Sequence, residues 1–128
     1  MENIEPSSQM IQNYIDAYNN FDVEGMVKDL HNDIIFKNIS NGEVNLTTHG
    51  KDAFEQQALQ AKQFFKTRQQ TITATTIGNE FIEISIDYQG VVAVDLPNGL
   101  KEDEKIALQG KSIFKFIDDK IIEITDIS

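Results

Sequence analysis

Apolar residues recur along this chain at two different periods, and the change from one to the other divides it. Early on, Met10, Ile11, Tyr14, Ile15 and Tyr18 fall at helical spacing, with Gln9, Gln12, Asn13, Asp16 and Asn19 on the opposite side. The stripe predicts an amphipathic helix that admits Pro6 in its first turn and stops at Asn19-Asn20. Asp22 suits the N-cap of a second, shorter helix burying Val23, Met26, Val27 and Leu30. Gly25 inside that helix forgoes about 1 kcal/mol of helix propensity, which points to a close contact there. Residues 34–39 read as a strand, Asn41-Gly42 as a turn, and residues 43–48 as its return. Gly50 precedes a third helix over residues 51–65, with Phe54, Ala58, Ala61 and Phe65 on its buried face.

Beyond Lys66 the period falls to two. Residues 71–77 are rich in β-branched side chains, and Gly78-Asn79 turns them. Ile82, Ile84, Ile86 and Tyr88 then alternate with Glu83, Ser85 and Asp87, giving one buried and one wet face. Gly90 marks a bulge or bend in a strand that continues to Leu96. Pro97-Asn98-Gly99 and the charged run 101–105 form a loop; strands over 106–117 and 121–127 follow, joined by a turn at Asp118-Asp119. Helices first and a meander later predict an α+β fold, a mostly antiparallel sheet curled over three helices of the N-terminal half. No repeat or linker interrupts it, so residues 1–128 read as one domain.

Composition narrows the function classes. The chain has 40% hydrophobic and 25% charged residues, enough for one real core at 128 residues. It has no cysteine, which removes disulfides, thiolate metal sites and a cysteine nucleophile. Its net charge of −10 repels phosphate backbones, and only Arg68 supplies a guanidinium, so no nucleic-acid partner is expected. No apolar run reaches the ~18 residues of a membrane span, and the start lacks the pattern of a signal peptide. The expectation is a cytoplasmic protein without a membrane partner. His31, near the end of the second helix, and His49, before the third, are read as structural, and no metal or cofactor is expected.

Several segments together carry a resemblance. Ile11-Gln12-Asn13-Tyr14-Ile15 and then Asn19-Asn20-Phe21-Asp22-Val23-Glu24-Gly25-Met26-Val27 follow the pattern of ketosteroid isomerases without a gap. Gly50-Lys51-Asp52-Ala53-Phe54, Tyr88-Gln89-Gly90, Gly110-Lys111-Ser112-Ile113-Phe114-Lys115-Phe116 and Asp119-Lys120-Ile121 match further parts of that pattern. The chain thus resembles the nuclear transport factor 2-like superfamily, in its SnoaL-like and ketosteroid isomerase-like branch. The resemblance implies a cone-shaped, strongly bent sheet with an apolar pocket between sheet and helices, open to a small hydrophobic molecule. It also implies a homodimer through the outer sheet face. Strand alternation agrees, since Ile35, Ile39, Ile113 and Ile117 point outward if Phe36, Asn38, Ser112 and Phe114 point inward.

The same resemblance locates a possible chemistry. Isomerases of this kind use a carboxylate base with a tyrosine and a protonated aspartic acid as oxyanion donors. The tyrosine falls at Tyr14, the base at Asn38 and the acid at Ser112. An amide accepts no proton at neutral pH, although Asn38 and Ser112 can still hold a ligand's polar end. The implied ligand-binding set is Tyr14, Tyr18, Phe36, Asn38, Phe54, Ser112 and Phe114, with Tyr14 the catalytic candidate. Asp87, Asp95, Glu123 and Asp126 read as solvated charges, and the acidic run Glu102-Asp103-Glu104 as a solvated turn. No pair of acids accompanies Arg68 as limonene-epoxide hydrolase chemistry requires. Two expectations follow: a small-molecule-binding protein without turnover, and a cofactor-independent isomerase, cyclase or dehydratase. A buried carboxylate near the Tyr14 hydroxyl favours the second.

Overall fold

A computed structural model describes residues 5–97 and 99–128. Asn98, at the centre of the expected turn, lies outside that set. The elements run α1 (Glu5–Asn19), α2 (Val23–Val27), β1 (Leu30–Ser40), β2 (Glu43–His49), α3 (Lys51–Ala61), a 3-10 turn (Lys62–Phe64), β3 (Phe65–Ile77), β4 (Phe81–Val92), β5 (Lys105–Ile117) and β6 (Lys120–Ile127). The six strands form one open, mixed sheet in the order β2-β1-β6-β5-β4-β3. Among the described residues only β1 and β6 pair in parallel, and the other four pairs are antiparallel. Register shifts interrupt four of the five pairings, and such bulges bend the strands that carry them.

Register sorts the side chains into rows across the sheet. One row runs Ile82, Phe114, Ile124, Phe36. It packs against Ile11, Tyr14 and Ile15 of α1 and Phe54 and Ala58 of α3, forming the core on the concave face. Two residues further along each strand, the row changes character to Ile84, Ser112, Asp126, Asn38. The convex face carries the intervening positions, including Ile35, Ile39, Ile113 and Ile117, and the ion pairs Lys111–Glu83 and Lys115–Glu123.

The order of elements agrees with the pattern, whereas several boundaries move. α2 is one turn long, and Leu30 belongs to β1 instead of the helix. The Ile121 amide donates to the Asp29 carbonyl and Leu30 pairs with Ile121, which draws the chain into the sheet. Phe65 opens β3 instead of closing α3, because the 3-10 turn redirects the chain after Ala61. β4 stops at Val92, where its amide donates to Glu104 and its carbonyl accepts from Asp103. Gly90 pairs regularly on both sides, and the bulge sits beside it, between Phe65 and Thr67.

The close contact expected at Gly25 is present. The Asp22 side chain accepts from the Gly25 amide as the α2 N-cap. A Cβ at Gly25 would lie 2.5 Å from Asp22 Oδ2 and 2.9 Å from the Ala17 Cβ. Gly25→Ala should therefore destabilise the fold by about 1–3 kcal/mol, despite the better helix propensity of alanine. A urea titration checks this, and a higher midpoint in the variant would contradict it.

Candidate functional site

Past the apolar row, the concave face opens into a cavity of about 400 Å³, a volume within the roughly 300–1,000 Å³ of small-molecule sites. Ser112, Asp126 and Asn38 lie at one end of it. Tyr18 of α1, Gln70 of β3 and Tyr88 of β4 line the other. Leu96 and Leu100 from the β4–β5 loop, with Ile106 and Leu108, supply an apolar rim. Gly110 keeps the wall between the ends free of a side chain, and the Ile127 carbonyl would lie only 2.7 Å from a Cβ there.

The polar row holds a carboxylate in an apolar setting. Ser112, 4% exposed, donates through Oγ to Asp126 Oδ1 at 2.6 Å, a length typical of an ionised acceptor. Burial pushes the Asp126 carboxyl from an ordinary 3.8 up to about 6, with the Ser112 bond acting in the opposite direction. Asn38 donates to Asn45 Oδ1 at 2.9 Å. Burial also makes Tyr14 hold its proton well above the ordinary phenol range, and the Asp126 charge adds to that. A carboxyl poised near neutrality at a cavity wall can take a proton from a bound molecule and return it.

The far end is built differently. Tyr18 donates through its hydroxyl to the Tyr88 hydroxyl at 3.0 Å. Arg68, 4% exposed, places its guanidinium 3.7 Å from the Tyr18 ring centroid and 4.6 Å from that of Phe21. Its Nε donates to the Tyr18 carbonyl at 2.9 Å, satisfying one of the open carbonyls at the end of α1. Asn19 adds a second clamp: its Nδ2 donates to the Gln70 carbonyl at 3.0 Å and its Oδ1 accepts from the Gln70 amide at 2.7 Å. Burial raises the Tyr18 and Tyr88 hydroxyls, and the Arg68 charge pulls both back.

Of the residues expected from the sequence, Tyr18, Asn38 and Ser112 line the cavity. Tyr14, Phe36, Phe54 and Phe114 do not; they pack behind it in the core. The Tyr14 ring lies 5.8 Å from Phe114 and 6.3 Å from Phe54, and Phe36 lies 5.6 Å from Phe54. Asp126, read from the sequence as solvated, faces the cavity instead. The residues that sequence reasoning passed over are Asp126, Tyr88 and Gln70, with Arg68 behind them. His31 sits on β1 instead of a helix end, where its Nδ1 accepts from the Asp33 amide, and His49 ends β2 on the exposed side. Among the described residues, no three potential ligand side chains converge as a metal site. No helix of the described residues is long and apolar enough to cross a membrane. The acidic loop is not merely solvated, since Lys66 pairs with both Glu102 and Asp103.

The SnoaL-like domain model matches residues 11–124. The chain belongs to the SnoaL-like domain family. No curated protein matches it in sequence. In structure, this SnoaL-like protein is similar to a presumed polyketide cyclase from Xanthomonas campestris, at 19% identity and a TM-score of 0.83, over 99% of this chain and 93% of that one. It is similar to a ketosteroid isomerase-like protein from Catenulispora acidiphila, crystallised with trimethylamine, at 12% identity and a TM-score of 0.74, covering 92% and 83% of the two chains. It is also similar to TerC, co-crystallised with polyporic acid, at 14% identity and a TM-score of 0.75, covering 96% and 91%. At these identities the likeness is one of fold.

The raised Asp126 carboxyl has a consequence for stability. The folded protein binds that proton more tightly than the unfolded chain, so stability falls as pH rises from about 4 to about 6. Above that window the charge costs on the order of 2 kcal/mol, allowing for screening through the cavity mouth. Asp126→Asn keeps an acceptor for Ser112 and removes the charge. The variant should melt roughly 5 °C higher than the parent at pH 7.5, with the difference vanishing near pH 4. A lower melting temperature for the variant at pH 7.5 would contradict the burial argument.

Proposed function

We propose that this SnoaL-like protein is a cofactor-independent enzyme that moves a proton on an apolar, carbonyl-containing small molecule, with Asp126 as the base. The observation that carries the reading is the Asp126 carboxyl itself, at the cavity wall, hydrogen-bonded to Ser112 and raised to about 6. Binding without turnover is the reading that Asn38 and Ser112 favour when taken alone. Such a protein has no need of an ionisable group in an apolar wall, where it weakens the fold. The structural neighbours named above, a presumed polyketide cyclase and proteins crystallised with small organic molecules, support an organic ligand.

The chemistry follows from what each group can do. Asp126 takes a proton from the carbon beside a carbonyl, and the electron pair of that C–H bond moves into an enolate. Return of the proton to a different carbon completes an isomerisation; attack of the enolate carbon on a second carbonyl completes a ring closure, with the proton going to the new alkoxide. Ser112 steadies the carboxylate by its hydrogen bond, and the apolar rim keeps water from competing for the proton.

Exchange of α-hydrogens for deuterium in 2-tetralone and related bicyclic ketones, followed by NMR in heavy water, tests this. The parent should exchange them, with a rate that rises through pH about 6 as Asp126 ionises. Asp126→Asn should lower the rate by at least about a hundredfold. Equal rates in parent and variant would reject Asp126 as the base.

The reading extends to assembly. A homodimer through the convex face is supported by Ile35, Ile39 and Ile113, and by Ile117, which is 51% exposed in the isolated chain. Native mass spectrometry should show the dimer, and Ile117→Lys should shift the population towards monomer. A monomeric parent at micromolar concentration would rule this arrangement out.

A further inference from the structure

We propose that the Tyr18–Tyr88 pair, backed by Arg68, receives a single anionic oxygen of the ligand, a phenolate or enolate, at the end of the cavity away from Asp126. As a role in turnover this rests on the preceding reading; as a binding site it stands on its own observations.

The first is an unneutralised buried cation. Arg68 is the one arginine in a chain with 21 acidic residues, yet among the described residues no carboxylate pairs with it. Its Nη2 is buried without a hydrogen-bond partner. Among the described residues this buried positive charge therefore has no carboxylate in contact to offset it. Lys111, which also reaches the cavity wall, is engaged by Glu83 at 3.8 Å on the convex face.

The second is the path of that charge. Arg68 does not line the cavity; Tyr18 and Tyr88 do. The guanidinium lies against the Tyr18 ring and on the Tyr18 carbonyl, so its field reaches a ligand through the tyrosines. Two hydroxyls sharing one hydrogen bond commit one proton, and the Tyr88 hydroxyl keeps its own free to donate. Such a donor is strengthened by a bond already made to it.

Geometry then selects the kind of anion. A carboxylate is best met by the two-pronged edge of an arginine. Here Nε is committed to the α1 carbonyl, Nη2 is buried and the face is covered by Tyr18 and Phe21, leaving one hydroxyl donor for one oxygen. The setting is apolar and aromatic, with Phe65 6.1 Å from Tyr88. Gln70 Oε1, buried beside the pair without a partner, is an acceptor for a second hydroxyl on the same ligand. Asp126 lies level with Ile84, four residues before Tyr88 and two strands away, and its charge still reaches Tyr18, so the ionised base weakens an anion held at the pair.

The test uses 4-nitrophenol, whose ionised form has its own visible absorbance. At pH 6, adding the protein should raise that absorbance, showing that the phenolate is bound in preference to the phenol. Tyr88→Phe and Tyr18→Phe, which keep their rings, should each weaken phenolate binding about tenfold, with circular dichroism confirming the fold. Arg68→Lys should weaken it too, and benzoate should compete more poorly than nitrophenolate. Preference for the neutral phenol, an unchanged Tyr88→Phe variant, or benzoate binding as tightly would each overturn the proposal. The two readings separate in Asp126→Asn, which should lose ketone exchange and bind nitrophenolate more tightly. Nitrophenolate binding in a parent that exchanges no ketone would sink the reaction and leave the anion site standing. Ketone exchange without phenolate binding would do the reverse.

Discussion

The arrangement depends on β6, which lies between β1 and β5 and joins the sheet strands of the two halves of the chain. It pairs in parallel with β1 on one side and antiparallel with β5 on the other. Residues remote in sequence therefore share a row: Phe36 with Ile124 and Phe114, and Asn38 with Asp126 and Ser112. The apolar row is buried under α1 and α3 and holds the sheet against the helices. The polar row begins two residues later, at the wall of the cavity. A slip of one residue in β6 would send Ile124 and Asp126 to the convex face together, so the pairing that fixes the core also places the carboxylate.

The cavity separates two charges that a more stable protein would join. Asp126 meets a serine hydroxyl, and Arg68 meets a carbonyl and two aromatic faces. Were they in contact, each would offset the desolvation of the other and both would be chemically inert. Held apart, one is raised towards neutrality by burial, and the other offsets part of the burial that raises the tyrosines beside it. The cost falls on stability and is carried by the apolar row below.

Much of the fold was legible because long periodic segments carry it. The α1 stripe and the alternation of Ile82, Ile84, Ile86 and Tyr88 each have a single consistent reading. The site was less legible, for a local reason. β6 contains Ile121, Ile122, Ile124 and Ile127, so alternation started from Ile121 and from Ile122 fits almost equally well. A register shift opposite Lys115 and Phe116 makes both Ile121 and Ile124 buried, and only that shift turns Asp126 inward. Arg68 falls outside the strand expected over residues 71–77, whereas β3 begins at Phe65; its burial follows from the α1 terminus docking on β3, a contact between segments 50 residues apart. Tyr88 was on the correct face, and its partner Tyr18 was in the implied set, but nothing local links two tyrosines 70 residues apart.

Asn38 and Ser112 take on a different meaning in this light. Read as departures from the isomerase pattern, they remove a base and an acid from two separate strands. Register places them on either side of one residue, Asp126. A second carboxylate at either neighbouring position would lie directly across the ladder from Asp126, and two like charges at that spacing cannot both ionise freely. An amide and a hydroxyl are side chains that can flank a lone carboxylate without repelling it, and Ser112 already does so by donating to it. The pattern at these three positions is thus one carboxylate flanked across the ladder by two neutral side chains, the setting that the base proposed at Asp126 requires.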